Sequence, residues 1–248
     1  MGLSDLSLRV STRRTFVGLV ERFVRKSALS QSPHARAEIA LTFDDGPHPQ
    51  WTPRVLDALE RISAKATFFV VGRSASQHGA IVRDARRRGH EIGTHLYSHD
   101  RRTVFDDRAF AEELRRSKGE LESLLGEPLR WLRFPYGERG RQDPRTIAKN
   151  YDLRTVHWTY SSHDGMLDAP SDVVARFRTG LRPGVIVLLH DALADETTLP
   201  SPYVAARDVT VAALPGIGQA LAERGLTSVS LSELFAAPGQ TETSVNPR

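Results

Sequence analysis

The feature that most constrains this 248-residue chain is a regular alternation of short β-rich runs with helical runs. Residues 38–45, 65–72, 91–93, 129–134, 154–161, 185–190 and 228–231 read as strands. Residues 52–62, 75–88, 106–125, 143–149, 171–178 and 209–224 read as helices. Gly126 and Pro128 close the longest of them in the way a helix C-terminus requires. Parallel strands need a crossover connection, and a helix is the usual one, so the pattern predicts an α/β fold with a parallel sheet or barrel. No internal repeat and no second domain are visible, so residues 37–236 are expected to form one body.

Polar residues fall where such a fold builds its sites. Asp44, Asp45, His95, Arg133, Asp164 and His190 all lie at or just past the carboxyl ends of the expected strands. Strand neighbours point to opposite faces, so Asp44 and Asp45 can share a site only where Gly46-Pro47 turns the chain. Two carboxylates held together repel, and one of them must then bind a proton or a cation. The alternative for this pair is a solvated turn. His95 and His99 stand four residues apart, a chelating spacing on one face of a helical turn. The alternative for them is a solvated helix face. Leu96 excludes the His-Glu-x-x-His pattern, so no general base comes from inside this motif. Asp45 is available as a third ligand, and two imidazoles with one carboxylate and an open position suit Zn²⁺ or a similar borderline divalent ion.

Composition removes several classes. With 40% hydrophobic and 26% charged residues the chain is ordinary for a folded domain, and no run approaches the ~18 apolar residues of a membrane span. The absence of cysteine excludes disulfides and thiolate ligands, so a metal must be held by His, Asp or Glu. A pI of 9.7 points toward nucleic acid only superficially. Residues 1–36 carry seven Lys/Arg against Asp5 and Glu21, a net +5; the whole chain is +4, which leaves about −1 for the body. A phosphate-reading surface would carry the excess itself, so no nucleic-acid partner is expected.

The basic residues 1–36 form a separate N-terminal segment in this reading. Thr12-Arg13-Arg14-Thr15-Phe16 resembles a twin-arginine export signal, but Glu21 and Arg22 break the apolar stretch behind it. Phe16, Leu19, Val20, Phe23 and Val24 fall instead on one helical face. An amphipathic helix docked on the body is expected, with a helix lying on an anionic membrane surface as the alternative. The cytoplasm or the inner membrane face is favoured as the location, and export is the remaining option. Residues 237–248 read as a loose tail.

Taken in order, Thr42–Pro47, His95 with His99, Arg133-Phe134-Pro135-Tyr136 and Leu188-Leu189-His190 resemble the motifs of the polysaccharide deacetylase (NodB-homology) family of carbohydrate esterases. The resemblance covers about residues 39–234. It implies a distorted (β/α) barrel and hydrolytic removal of acetyl groups from an N-acetylated sugar or oligosaccharide. It also implies one divalent metal ion, Zn²⁺ first, with Co²⁺ or Ni²⁺ as options, held by Asp45, His95 and His99. By the same resemblance Asp44 is the general base and Arg133 orients it, while Pro135 and the backbone N–H of Tyr136 serve substrate and oxyanion. His190 is the general acid. Amide hydrolysis needs an activated nucleophile, a site for the oxyanion and a proton for a poor leaving group, and these roles supply all three.

The chain departs from the family at its fourth motif, usually Asp-x-x-Asp-Trp. Asp164 matches the second Asp, which orients the acid histidine, but Ser161 stands for the first Asp and Gly165 for the Trp. That Trp normally walls the substrate groove, so a pocket opened there, or refilled from elsewhere, is expected. Residues 192–206 read as a long loop that caps the pocket, with Tyr203 as a substrate contact, or else as a surface excursion. Of the other histidines, His34, His78 and His90 read as solvated, His157 as structural, and His48 and His163 as flanking the site. Hydrolysis of a formamide or cyclic imide, O-deacetylation, and a non-catalytic carbohydrate-binding relic are the competing readings.

Overall fold

The computed structural model describes residues 29–34, 36–167, 169–193 and 202–237. Eight strands form its sheet: β1 Glu38–Asp44, β2 Ala66–Val70, β3 Glu91–Thr94, β4 Trp131–Leu132, β5 Arg154–Thr155, β6 Tyr160–Ser161, β7 Ile186–His190 and β8 Thr227–Ser228. Among the described residues seven α-helices accompany them: α1 Trp51–Arg61, α2 Gly72–Arg87, α3 Asp107–Leu125, α4 Pro144–Tyr151, α5 Pro170–Gly180, α6 Pro202–Glu223 and α7 Leu231–Phe235. All named strand pairs are parallel, in the order β5-β4-β3-β2-β1-β7-β6, and β8 pairs with the start of β1. This is the distorted (β/α) barrel that the alternation and the resemblance implied.

The sheet curls far enough for a short segment to span its ends. Leu29 bridges Val156 just beyond β5, and Gln31 bridges Val185 just before β7. The sequence reading set residues 1–36 apart from the body, yet Leu29–Ser32 are hydrogen-bonded into it through Thr155, His157 and Gly184. The amphipathic stretch Phe16–Val24 lies outside the described residues, as does the tail from 238 onward.

Alternation along each strand sorts side chains between two faces. Leu41, Phe43, Phe68, Val70, Ile92, Leu132, Val187 and Leu189 join the larger core under the helices. Their neighbours Ala40, Phe69, Trp131 and Ile186 fill the barrel interior. Continuing by twos on that inner face leads from Ala40 to Thr42 and Asp44, from Trp131 to Arg133, and from Ile186 to Leu188 and His190. Each inner row therefore begins apolar at one end of the barrel and becomes polar at the carboxyl ends of the strands.

The opposite end is plugged by α7. Its capping box is closed by Ser230 and Glu233, whose side chain returns to the Ser230 backbone N–H at 2.8 Å. The Trp131 indole donates to Glu91 at 3.0 Å and to Ser232 at 3.1 Å. Burial pushes the Glu91 carboxyl above its usual range.

Three local expectations need correction. The expected strand 154–161 is interrupted: β5 ends at Thr155 and β6 begins at Tyr160, because the run crosses from one edge strand of the curled sheet to the other. Helix α6 starts at Pro202, so Tyr203 belongs to its first turn and the expected loop is shorter; residues 194–201 lie outside the described residues. His90 is buried, not solvated. Its Nδ1 accepts from the Ala66 N–H at 3.2 Å, and burial pulls the imidazole down to about 4.

Candidate active site

Asp44 and Asp45 share the end of β1 because the chain turns there. Asp45 adopts a left-handed backbone with φ 80°, which swings its side chain away from strand alternation. Both carboxylates are buried. Asp44 Oδ1 accepts from Arg133 Nη1 at 2.8 Å. The same Nη1 donates to Thr42 Oγ1 at 2.7 Å, and Arg133 Nη2 donates to the His157 carbonyl at 3.1 Å. Arg133 is completely buried, with its guanidinium 4.1 Å from the Phe69 ring centroid. Burial presses its pKa below the ordinary guanidinium value, and Asp44 opposes that shift. A buried cation fixed on three sides leaves Asp44 little orientational freedom.

His95 and His99 do reach one site, but not on a helical turn. Residues 95–99 form an irregular loop in which Leu96 and His99 have φ of 64° and 63°. Leu96 is fully buried and anchors this loop. His95 Nε2 stands 3.6 Å from Asp45 Oδ1, and His99 Nε2 stands 3.3 Å from the same oxygen. The ligand atoms of Asp45, His95 and His99 all lie within 4.8 Å of one another.

The donor chemistry fits a divalent cation. His95 Nδ1 lies 2.8 Å from the Arg133 carbonyl, which can only accept, so Nδ1 carries the proton and the Nε2 lone pair faces Asp45. Burial pulls His95 down to about 4, which keeps the ring neutral as a ligand must be. Burial pushes the Asp45 carboxyl upward, but His99, His190 and His95 outweigh it and hold the group well below the carboxylate range. Two imidazoles and one carboxylate, all buried, make a suitable tridentate set for Zn²⁺-type ions.

His190 ends β7 as the register partner of Asp44 on β1. Its Nδ1 contacts Asp164 Oδ1 at 2.9 Å, and its backbone N–H donates to Asp164 Oδ2 at 2.9 Å. Burial alone would lower this imidazole, but Asp164 outweighs it and raises the pKa. Asp164, completely buried, is held in turn below its ordinary range by His190, Arg207 and Thr210 against the effect of burial.

A cavity of about 170 Å³ joins these groups, lined by Asp44, Asp45, His95, His99, Tyr136 and His190 among others. Tyr136 follows Pro135 with φ 58°, is 49% exposed, and lays its ring 4.6 Å from that of His99. Pro135 is buried. His48 lies outside the lining; its Nδ1 accepts from the Gln50 and Trp51 N–H groups at the start of α1. His163 also lies outside it.

Four contributors escaped the sequence reading. Trp158 and Leu193 line the cavity from positions whose pattern carries no functional signal. Asp191, next to His190, is buried under Gly46, where a Cβ would meet its Oδ2 at 2.2 Å. Arg207 lies far along the chain on α6, with its Nη1 3.5 Å from Asp164 Oδ2. A buried arginine in a helix has no sequence signature that distinguishes it from a solvated one.

Comparison with known proteins bears on this arrangement. The profile described as polysaccharide deacetylase matches residues 31–156. The chitooligosaccharide deacetylase of Sinorhizobium fredii is 33% identical over 196 residues, covering 79% of this chain and 90% of that protein. A peptidoglycan-N-acetylglucosamine deacetylase of Bacillus cereus is 33% identical over 205 residues, covering 82% and 90% respectively. The crystal structure of the Bc1960 peptidoglycan N-acetylglucosamine deacetylase superposes with a TM-score of 0.75 at 28% identity, covering 86% of this chain and 95% of that one.

Proposed function

Given that the chain belongs to the polysaccharide deacetylase family, we propose that it is a metal-dependent hydrolase that removes N-linked acetyl groups from an amino sugar or N-acetylated glycan and releases acetate. One observation carries the reading most directly. An arginine-paired carboxylate, Asp44, and a carboxylate-paired imidazole, His190, face one cavity from adjacent strand ends, beside the Asp45-His95-His99 cluster. A sugar-binding surface alone requires neither a base nor an acid, which disfavours the relic reading.

The hydrogen bonds support the following roles. Asp44, oriented by Arg133, takes a proton from the attacking water. Asp45, His95 and His99 would hold a divalent cation, Zn²⁺ by donor type. Such an ion would supply Lewis-acid polarisation of the acetyl carbonyl and acidify the water. Tyr136 lines the cavity, and its backbone N–H would donate to the developing oxyanion. His190, protonated and held by Asp164, gives its proton to the departing amine nitrogen as the C–N bond breaks. A cavity of about 170 Å³ admits an acetamido group and leaves the sugar ring at the mouth.

Acetate release from N-acetylated chitooligosaccharides, with Zn²⁺ or Co²⁺ added, tests the reading. Activity is expected to vanish with chelator and to return with metal, and His95→Ala should lose the metal. Failure on amides beside turnover of a formamide, cyclic imide or O-acetyl sugar would replace the substrate assignment. Full activity of metal-free enzyme would remove the mechanism. The proposed location, in the cytoplasm or at the inner membrane face, rests on the basic residues 1–36; recovery of the protein outside the cytoplasmic membrane on cell fractionation would overturn it.

A further inference from the structure

Gly165 and Arg207 meet behind the acid histidine. A Cβ at residue 165 would stand 2.9 Å from Arg207 Nη2, so the guanidinium occupies the space beside the glycine. Arg207 is 3% exposed, and its Nε and Nη1 have no hydrogen-bond partner among the described residues. Its ionic partner there is Asp164, whose Oδ2 lies 3.5 Å from Nη1. That carboxylate is otherwise saturated. Oδ1 accepts from Ser162 at 3.1 Å and is bonded to His190 Nδ1, while Oδ2 accepts from the His190 N–H and from Thr210 Oγ1 at 2.7 Å. Arg207 and Thr210, three residues apart on α6, therefore act on one oxygen.

An arginine buried without a full set of hydrogen bonds is costly, and a compensating charge must retain it. Here the charge has a chemical use. While His190 is protonated, Asp164 and the imidazolium sum to zero. When Nε2 passes its proton to the leaving amine nitrogen, and the C–N electron pair goes with that nitrogen, the pair is left at −1. A fixed cation on the far side of Asp164 stabilises the state after transfer more than the state before it.

We propose that Arg207 is a positioning residue for the deacetylation step, holding Asp164 against His190 from the space that Gly165 leaves open. The proposal rests on the deacetylase reading for its chemistry, but its geometry can be tested without turnover. In the metal-loaded enzyme acting on an N-acetylated chitooligosaccharide, Arg207→Met is expected to lower kcat at least about tenfold while leaving KM within about twofold. Arg207→Lys, which keeps the charge, should recover most of that loss. By proton NMR, the downfield Nδ1–H resonance of His190 should be present in the native and Arg207→Lys proteins and broadened or lost in Arg207→Met. This signal is read whether or not the substrate has been assigned correctly. Should Arg207→Met fail to fold, Arg207→Gln supplies the comparison, because it keeps a hydrogen-bonding head in the same space while removing the charge; the same loss of kcat and of the resonance is expected. Native kcat together with a native His190 resonance, in either Arg207→Met or Arg207→Gln, would overturn the proposal. If native enzyme released no acetate, the deacetylase reading would fall, and the resonance would still decide the role of Arg207.

Discussion

At the scale of single residues, the site divides its charges between two buried pairs with different tasks. Asp44 is bound to a fully buried Arg133. Asp44→Asn is expected to lower kcat by about 10²–10⁴ while retaining one equivalent of metal, because the ligand set is on Asp45, His95 and His99. It should also lower the urea midpoint, since Arg133 would lose its compensating charge in a buried position. Unchanged kcat would remove Asp44 from the role of base. The second pair sets the alkaline limb. Asp164 raises the His190 pKa, so kcat should fall only as pH climbs through a value above the ordinary imidazole 6.5. Asp164→Asn withdraws the anion and should move that limb to lower pH; a pH–rate profile checks the direction. These residues were legible in the sequence because each sits at a strand's carboxyl end, where an ionisable side chain lacks a core explanation. Arg207 was not legible, because its partner Asp164 is 43 positions earlier and only the packing of α6 brings the two together.

At the scale of elements, the turn after β1 is braced from β7. Asp191 follows His190, accepts from Thr52 Oγ1 on α1 at 2.6 Å, and fills the space that Gly46 lacks a side chain to occupy. Burial pushes its carboxyl up from 3.8 to about 7. The folded protein therefore binds a proton more tightly than the unfolded chain here, so this group's contribution falls as pH rises from about 4 to about 7. Asp191→Asn keeps an acceptor for Thr52 and removes that dependence. Relative to the native protein it should gain stability progressively across this interval, on the order of a few kcal/mol at the upper end, as read by denaturant midpoints at several pH values. A constant difference between the two proteins would show that Asp191 stays charged. Elements also mark where periodicity misleads. A four-residue spacing at His95 and His99 suits a helical turn, but two left-handed residues let an irregular loop present the same pair. The gap between β5 and β6 was invisible because residues 157–159 retain β-forming side chains while the run crosses from one edge strand to the other.

At the scale of the whole molecule, the barrel has a chemical end and a structural end. The carboxyl ends of the strands hold the cavity, whereas the amino ends are closed by β8, α7 and the Trp131–Glu91–Ser232 contacts. The alternation of strands and helices made this architecture readable in advance, since it dictates both the parallel sheet and the edge on which polar residues gather. The closure at Leu29–Gln31 was not readable, because single bridges leave no periodic signature. The two ends should behave as independent contributors. A cation present at 100 times its Kd stabilises the folded state by about 2.7 kcal/mol, so chelation should lower the unfolding midpoint and abolish turnover together. Ser230→Ala removes the capping box of α7 and should cost about 0.5–2 kcal/mol without changing kcat. Applied together, the two losses of stability should add within about 0.5 kcal/mol, because no shared partner among the described residues connects the cap to the cluster. Strong coupling, with chelation costing markedly more or less in Ser230→Ala than in the native protein, would mean that the plug at one end transmits its packing through Trp131 and β4 to Arg133, and from there to the metal ligands at the other.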